Sequence, residues 1–63
     1  MNDMAIMLST AKGNNVLTLD MGIRPDGRAM YRICWWNGKK WSIVRYGRIK
    51  EAYATFKMME QML

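Results

Sequence analysis

The segment from Arg28 to Arg45, RAMYRICWW-NG-KKWSIVR, constrains this chain more than any other. Two alternating runs flank Asn37-Gly38, and an Asn-Gly pair in that setting is the strongest local signal for a β-hairpin. A two-residue loop sets Trp36 opposite Lys39, Cys34 opposite Trp41, Arg32 opposite Ile43 and Tyr31 opposite Val44. Successive side chains on a strand point to opposite faces, so the hairpin has two unlike surfaces. Ala29, Tyr31, Ile33, Trp35, Val44 and Tyr46 share one, with Lys40 and Ser42 toward the loop. Arg28, Met30, Arg32, Cys34, Trp36, Lys39, Trp41, Ile43 and Arg45 share the other. The first reads as a core face, and the second mixes cations with aromatic rings.

The preceding segment extends the pattern. From Val16 to Ile23, Leu17, Leu19, Met21 and Ile23 alternate with Thr18, Asp20 and Gly22. Arg24-Pro25-Asp26-Gly27-Arg28 is a turn, with proline presetting φ and glycine free to take a positive one. Packing selects its length. A three-residue loop (Pro25, Asp26, Gly27) puts Ile23, Met21, Leu19 and Leu17 opposite Ala29, Tyr31, Ile33 and Trp35, and Asp20 opposite Arg32. A two-residue loop throws the same apolar residues onto the cationic face. The longer loop is therefore expected.

Upstream, residues 1–3 are expected to fray, and 4–10 suits a strand or a short helix. The strand is favoured because Lys12-Gly13-Asn14-Asn15 follows as a turn cluster. After Gly47 the apolar period changes to that of a helix, with Ile49, Ala52, Tyr53, Phe56, Met59 and Leu63 on one side. The expected architecture is α+β: a three- or four-stranded antiparallel meander, with strands near 16–24, 28–36 and 39–46, packed on one C-terminal helix near 48–62. Tyr31, Ile33, Val44, Tyr53 and Phe56 are its expected core. A second helical stripe, Ala54, Met58 and Met62, is left over as a candidate homodimer contact through Met58 and Met62.

A chain of 63 residues makes one domain with a small core, which gives oligomerisation a thermodynamic motive. Its single cysteine excludes an internal disulfide. The lack of histidine removes the usual zinc sets and the commonest general base. No phosphate-binding glycine loop is present and the acids are scattered. The chain is therefore read as a non-enzyme with no metal or other cofactor. It has no apolar run long enough for a membrane span and no signal-like N-terminus, so a cytoplasmic protein without a membrane partner is expected.

Charge points to a partner. Residues 24–50 hold eight Lys and Arg against Asp26 alone, a local +7 in a chain of net +5. Such a concentration suits a polyanion. Arg28, Arg32, Lys39, Lys40, Arg45 and Arg48 are the candidate contacts to phosphates or base edges. Trp36 and Trp41 are candidates for apolar contact or base stacking. Nucleic acid, DNA foremost, is the expected partner. The alternative is a host protein bound by the same face, as a small phage-type inhibitor or anti-defence adaptor would bind it.

The order Gly27-x-x-x-Tyr31-Arg32-Ile33, then Asn37-Gly38-Lys39-Lys40-x-x-Ile43, then Tyr46-Gly47-Arg48-Ile49-Lys50-Glu51-Ala52 resembles a known pattern. It is similar to the AP2-like and arm-type DNA-binding domains of tyrosine-recombinase integrases from phages and mobile elements. The resemblance covers roughly residues 24–62. It implies three antiparallel strands followed by a helix, with the sheet entering the DNA major groove. Arg48 stands where that pattern has a helix-capping Thr, and no recombinase catalytic domain follows in this sequence. The implied protein is a stand-alone DNA-binding module.

Overall fold

The computed structural model describes residues 4–63, and the fraying expected of residues 1–3 lies outside them. Four strands, β1 (Ala5–Lys12), β2 (Asn15–Ile23), β3 (Ala29–Trp36) and β4 (Trp41–Tyr46), precede one helix, α1 (Ile49–Met62). The strands form one antiparallel sheet in the order β1-β2-β3-β4, and α1 lies on one side of it, against β2, β3 and β4. The fold is α+β, a four-stranded meander with a C-terminal helix.

The strand favoured over a short helix for residues 4–10 is β1, which begins at Ala5 and runs on to Lys12. A tight turn at Gly13-Asn14 joins it to β2. Gly13 has φ +61°, the sign a hairpin needs at its first central residue when Gly leads the turn. The strand carries a bulge between Ile6 and Leu8. A bulge bends and twists an exposed edge, which discourages pairing with another chain.

The β2–β3 register is the one that packing selects. Ile23 pairs with Ala29, Leu19 with Ile33, Leu17 with Trp35, and Asp20 with Arg32. Its loop closes through the Gly27 N–H donating to Arg24 O at 2.9 Å and the Arg24 N–H donating to Arg28 O at 2.8 Å. Gly27 takes φ +87°, and Asp26 Oδ1 accepts the Arg28 N–H at 3.0 Å.

The β3–β4 loop corrects the two-residue reading. Trp36 pairs with Trp41, Cys34 with Ile43, Ile33 with Val44 and Arg32 with Arg45, leaving a four-residue loop, Asn37–Lys40. The Asn37 side chain explains the difference. Its Oδ1 accepts the N–H groups of Lys39 (2.9 Å) and Lys40 (3.0 Å), while the Asn37 N–H donates to Lys40 O at 3.3 Å. Asn37 thus starts an Asx-type turn instead of occupying the first central position of a two-residue loop, which would need a positive φ. Gly38 supplies the positive φ, +97°, and an added Cβ there would meet Asn14 Cβ at 3.2 Å. The longer loop also sets the Trp36 and Trp41 rings together, 5.5 Å between centroids and tilted by 50°. Because the register moves by two residues, every side chain of the paired β3 and β4 residues keeps its expected face, while Lys39 and Lys40 pass from the strand into the loop.

Leu17, Leu19, Ile33, Ala52 and Phe56 form the core, flanked by Leu8, Tyr31, Trp35, Tyr46, Met59 and Leu63. Leu17, Leu19, Ile33 and Phe56 are fully enclosed, each contributing on the order of 1.5–3 kcal/mol by leaving water. Two expected core residues lie outside it. Val44 is 51% exposed and Tyr53 47% exposed. The buried line of α1 runs through Ala52 and Phe56, which turns Tyr53 to the flank, and β4 is the sheet's outer strand. The half-buried Trp35 indole donates to Asn15 Oδ1 at 3.1 Å, tying β3 to the start of β2.

Substitutions at two positions test this packing. Phe56→Ala should remove about 3–5 kcal/mol, on the scale of a small domain's whole stability, so circular dichroism should show loss of cooperative unfolding. Phe56→Leu should retain a cooperative transition at a lower midpoint. Gly38→Ala should cost about 1–2 kcal/mol in urea unfolding, from the left-handed backbone and the approach to Asn14.

Candidate nucleic-acid interface

The face of the sheet opposite α1 is covered by no other element among the described residues. Cross-strand rows give its layout. Ile6, Asp20, Arg32 and Arg45 form one row; Ser9, Thr18, Cys34 and Ile43 the next; Ala11, Val16, Trp36 and Trp41 the third. Arg24 and Arg28 lie beyond the first row, at the β2–β3 loop, and Lys39 and Lys40 lie beyond the third. Cations therefore occupy both ends, with an aromatic and aliphatic zone between.

At one end Arg24, Arg28 and Arg45 line a recess of about 410 Å³ with Ala29, Met30, Tyr46 and Gly47. The recess exists because β3 begins before the point where β4 ends, leaving room beside Ala29 and Met30. Arg24 pairs with Asp26 at 3.4 Å, an exposed contact. Arg28 and Arg45 meet no carboxylate within 4.0 Å among the described residues. Three guanidinium groups around one recess, with one exposed acid nearby, suit a phosphate.

A second hollow of about 400 Å³ crosses the middle of the face. Met4 and Ile6 stand on the β1 side, Trp41 and Ile43 on the β4 side, and Thr18, Asp20, Arg32 and Cys34 form the floor. The walls are high and the floor deep: Ile6 is 65% and Trp41 53% exposed, whereas Asp20 is 4% exposed. Arg32 Nε donates to Asp20 Oδ2 at 2.9 Å, and the Cys34 thiol donates to the same oxygen at 3.5 Å. Among the described residues, Asp20 Oδ1 has no hydrogen-bond partner. Buried polar atoms are nearly always paired, so this one is unusual.

The pairing also orders the cations. Arg32 and Arg45 stand directly opposite, an arrangement that ordinarily destabilises a sheet. Asp20, on the other side of Arg32, offsets it. The Arg32 guanidinium is held above its usual pKa, chiefly by its hydrogen bond to Asp20. Burial pushes the Cys34 thiol up, and the Asp20 charge pushes it the same way. Cys34 is thus a protonated, unreactive thiol at neutral pH.

Of the residues singled out from the sequence, Arg28, Arg32, Trp36, Trp41 and Arg45 share the open face. Lys39 and Lys40 sit in the exposed β3–β4 loop at its aromatic end, and Arg48 stands apart as the helix N-cap, without a side-chain capping bond. Arg24, Thr18, Met4 and Ile6 were not singled out. The phase of Val16–Ile23 already put Thr18 on this face, and the Arg24–Arg28 spacing across the loop carried the signal for Arg24. Nothing in the sequence revealed Met4 or Ile6, because the bulge resets the phase of β1. The Met58 and Met62 stripe is exposed, at 58% and 77%.

Among the described residues, no three His, Cys, Asp or Glu side chains gather as a metal site, and no helix is long and apolar enough to cross a membrane. No protein-family model, curated protein or solved structure matches the chain.

Cys34 provides a pH test. Its folded pKa lies above the ordinary value of 9.0, so above that pH the unfolded chain loses a proton that the folded chain keeps. Its contribution to stability is complete below the ordinary value and is lost as pH rises toward the folded one. Urea unfolding should show stability falling as pH rises above 9.0, with a shallower fall in Cys34→Ala. A disulfide reagent at pH 7.5 should label the native thiol far more slowly than the denatured one.

Proposed function

We propose that this protein binds nucleic acid, DNA foremost, through the open face of its sheet. The observation that carries the reading is the convergence of Arg24, Arg28 and Arg45 at one end of a face that also presents Trp36 and Trp41. The guanidinium recess would hold backbone phosphates, while the indoles and Ile43 offer the apolar contact that bases need. Lys39 and Lys40 extend the positive track past the aromatic end. The reading also draws on the resemblance of residues 24–62 to integrase DNA-binding domains, which would make the protein a stand-alone module of phage or mobile-element type. The reading requires no catalytic residue and no cofactor. Within it, Met58 and Met62 are the contact through which two copies would pair.

One observation favours a second reading. Ile6, Trp41 and Ile43 are each at least 45% exposed on a single face, and exposed apolar patches commonly mark protein interfaces. An inhibitor or anti-defence adaptor would use that patch against a host protein carrying acidic groups opposite Arg28 and Arg45.

Affinity for fluorescent oligonucleotides across a salt series separates the two. Nucleic-acid binding through about four phosphate contacts should give a log–log slope near −3. Arg28→Ala and Arg45→Ala should each weaken binding and flatten the slope by about one contact. Binding that is absent at low salt, or indifferent to both substitutions, would contradict the nucleic-acid reading.

A further inference from the structure

The hollow over the central strands is more specific than a charged surface requires. Its floor sets an acceptor beside donors. Among the described residues, Asp20 Oδ1 has no partner and the terminal N–H groups of Arg32 meet no acceptor, since only Nε is engaged. Its sides are apolar and include one half-exposed indole. We infer that this trough seats one unpaired nucleobase of the cytosine type, its exocyclic amino group donating to Asp20 and its ring N3 and carbonyl accepting from Arg32. The inference rests on the nucleic-acid reading and narrows it to single strands.

Each element of the site argues for that occupant. The Asp20–Arg32 pair leaves the floor without net charge, which suits a neutral edge with both donor and acceptor atoms. A free cation would meet the surrounding excess of arginine. A second copy on this face would set Arg28 and Arg45 against their own kind. A base inside a duplex presents its edge at the bottom of a groove and cannot descend between Ile6 and Trp41 to a carboxylate that is 4% exposed. An extruded base can, with Trp41 flanking its ring as aromatic side chains flank unpaired bases. About 400 Å³ is ample for one base, within the roughly 300–1,000 Å³ of small-molecule sites. Asp20 Oδ1 is shielded from water, so entry of the base must displace a side chain at the trough. Met4, unbranched and flexible, is the member best suited to yield.

The geometry also relates the base to its backbone. Arg28, just before β3, and Arg32 within it lie four residues apart, about 13 Å at strand spacing. The phosphate recess and the base trough are therefore neighbours along one strand. A single strand could place a phosphate at Arg28 and Arg45 while the base of an adjacent nucleotide enters the trough.

Acceptor and donor together make the trough selective. Thymine carries a carbonyl where cytosine carries the amino group, and that oxygen would face Asp20. Fluorescence anisotropy should be measured with labelled 12-mers of oligo-dC and oligo-dT and a 12-base-pair duplex. The proteins compared are the wild type, Asp20→Ala and Trp41→Ala, each checked for folding by circular dichroism. Wild type should prefer oligo-dC to oligo-dT by about tenfold, the scale of one well-formed base contact, and should bind the duplex more weakly than oligo-dC. Asp20→Ala should bring the dC/dT ratio close to one while keeping salt-dependent binding. Trp41→Ala, on the exposed wall, should weaken oligo-dC and oligo-dT alike by about tenfold.

Should Asp20→Ala fail to fold, the wild-type ratio and Trp41→Ala still decide the matter. Equal affinity of the wild type for oligo-dC and oligo-dT, or tighter binding to the duplex, with salt dependence intact, would overturn the base seat and leave the nucleic-acid reading standing. No salt-dependent binding to any of the three would overturn both.

Discussion

The pairing of β2 with β3 is the constraint on which the rest of this structure depends. It is fixed from both sides of the sheet at once. On the helix side Leu17 and Leu19 meet Trp35 and Ile33, and on the open side Asp20 meets Arg32. A slip of one residue would bury Asp20 and Arg32 beneath Phe56 and expose the leucines, losing several kcal/mol from each face. The other strands and the helix are placed by this central pair. The core, the buried ion pair and the trough are three consequences of one register.

That register also explains why a protein this small has an open face. One helix of 14 residues can shield the middle of a four-stranded sheet but not its far side. Burial on the open side comes instead from the sheet itself. Ile6 and Met4 rise on one flank, Trp41 and Ile43 on the other, and Thr18, Asp20 and Cys34 lie buried between them. An ion pair in such a place is a weak source of stability. Its value is more readily understood as orientation, because Asp20 holds Arg32 Nε, and among the described residues nothing engages the remaining donors or the other carboxylate oxygen.

Much of this was legible in the residues. The β2–β3 loop length followed from asking which register keeps Leu17, Leu19, Met21 and Ile23 together, and so did the Asp20–Arg32 pair. The β3–β4 loop was not legible. Asn37-Gly38 serves a two-residue hairpin and an Asx turn equally well, and only the pairing of Trp36 with Trp41 distinguishes them. Parity saved the faces, since the register moved by two. Val44 and Tyr53 were misplaced for another reason: helical periodicity gives the apolar side of α1, not the lateral position at which the helix crosses the sheet. The trough was hidden for a third. Its β1 wall depends on a bulge at Ile6–Leu8 that interrupts alternation, and the burial of Asp20 is a property of four strands together.

The central claim is that the sheet face opposite the helix, and not the helix, meets a nucleic-acid strand. Backbone and indole NMR shifts of the labelled protein, followed as a single-stranded oligonucleotide is added, test it most directly. The account predicts saturable shifts at Asp20, Arg28, Arg32, Arg45 and the Trp41 indole, with Ala54, Met58 and Glu51 on the outer side of the helix unmoved. Shifts confined to the helix, or spread evenly over every exposed lysine and arginine with the Trp41 indole unmoved, would contradict it.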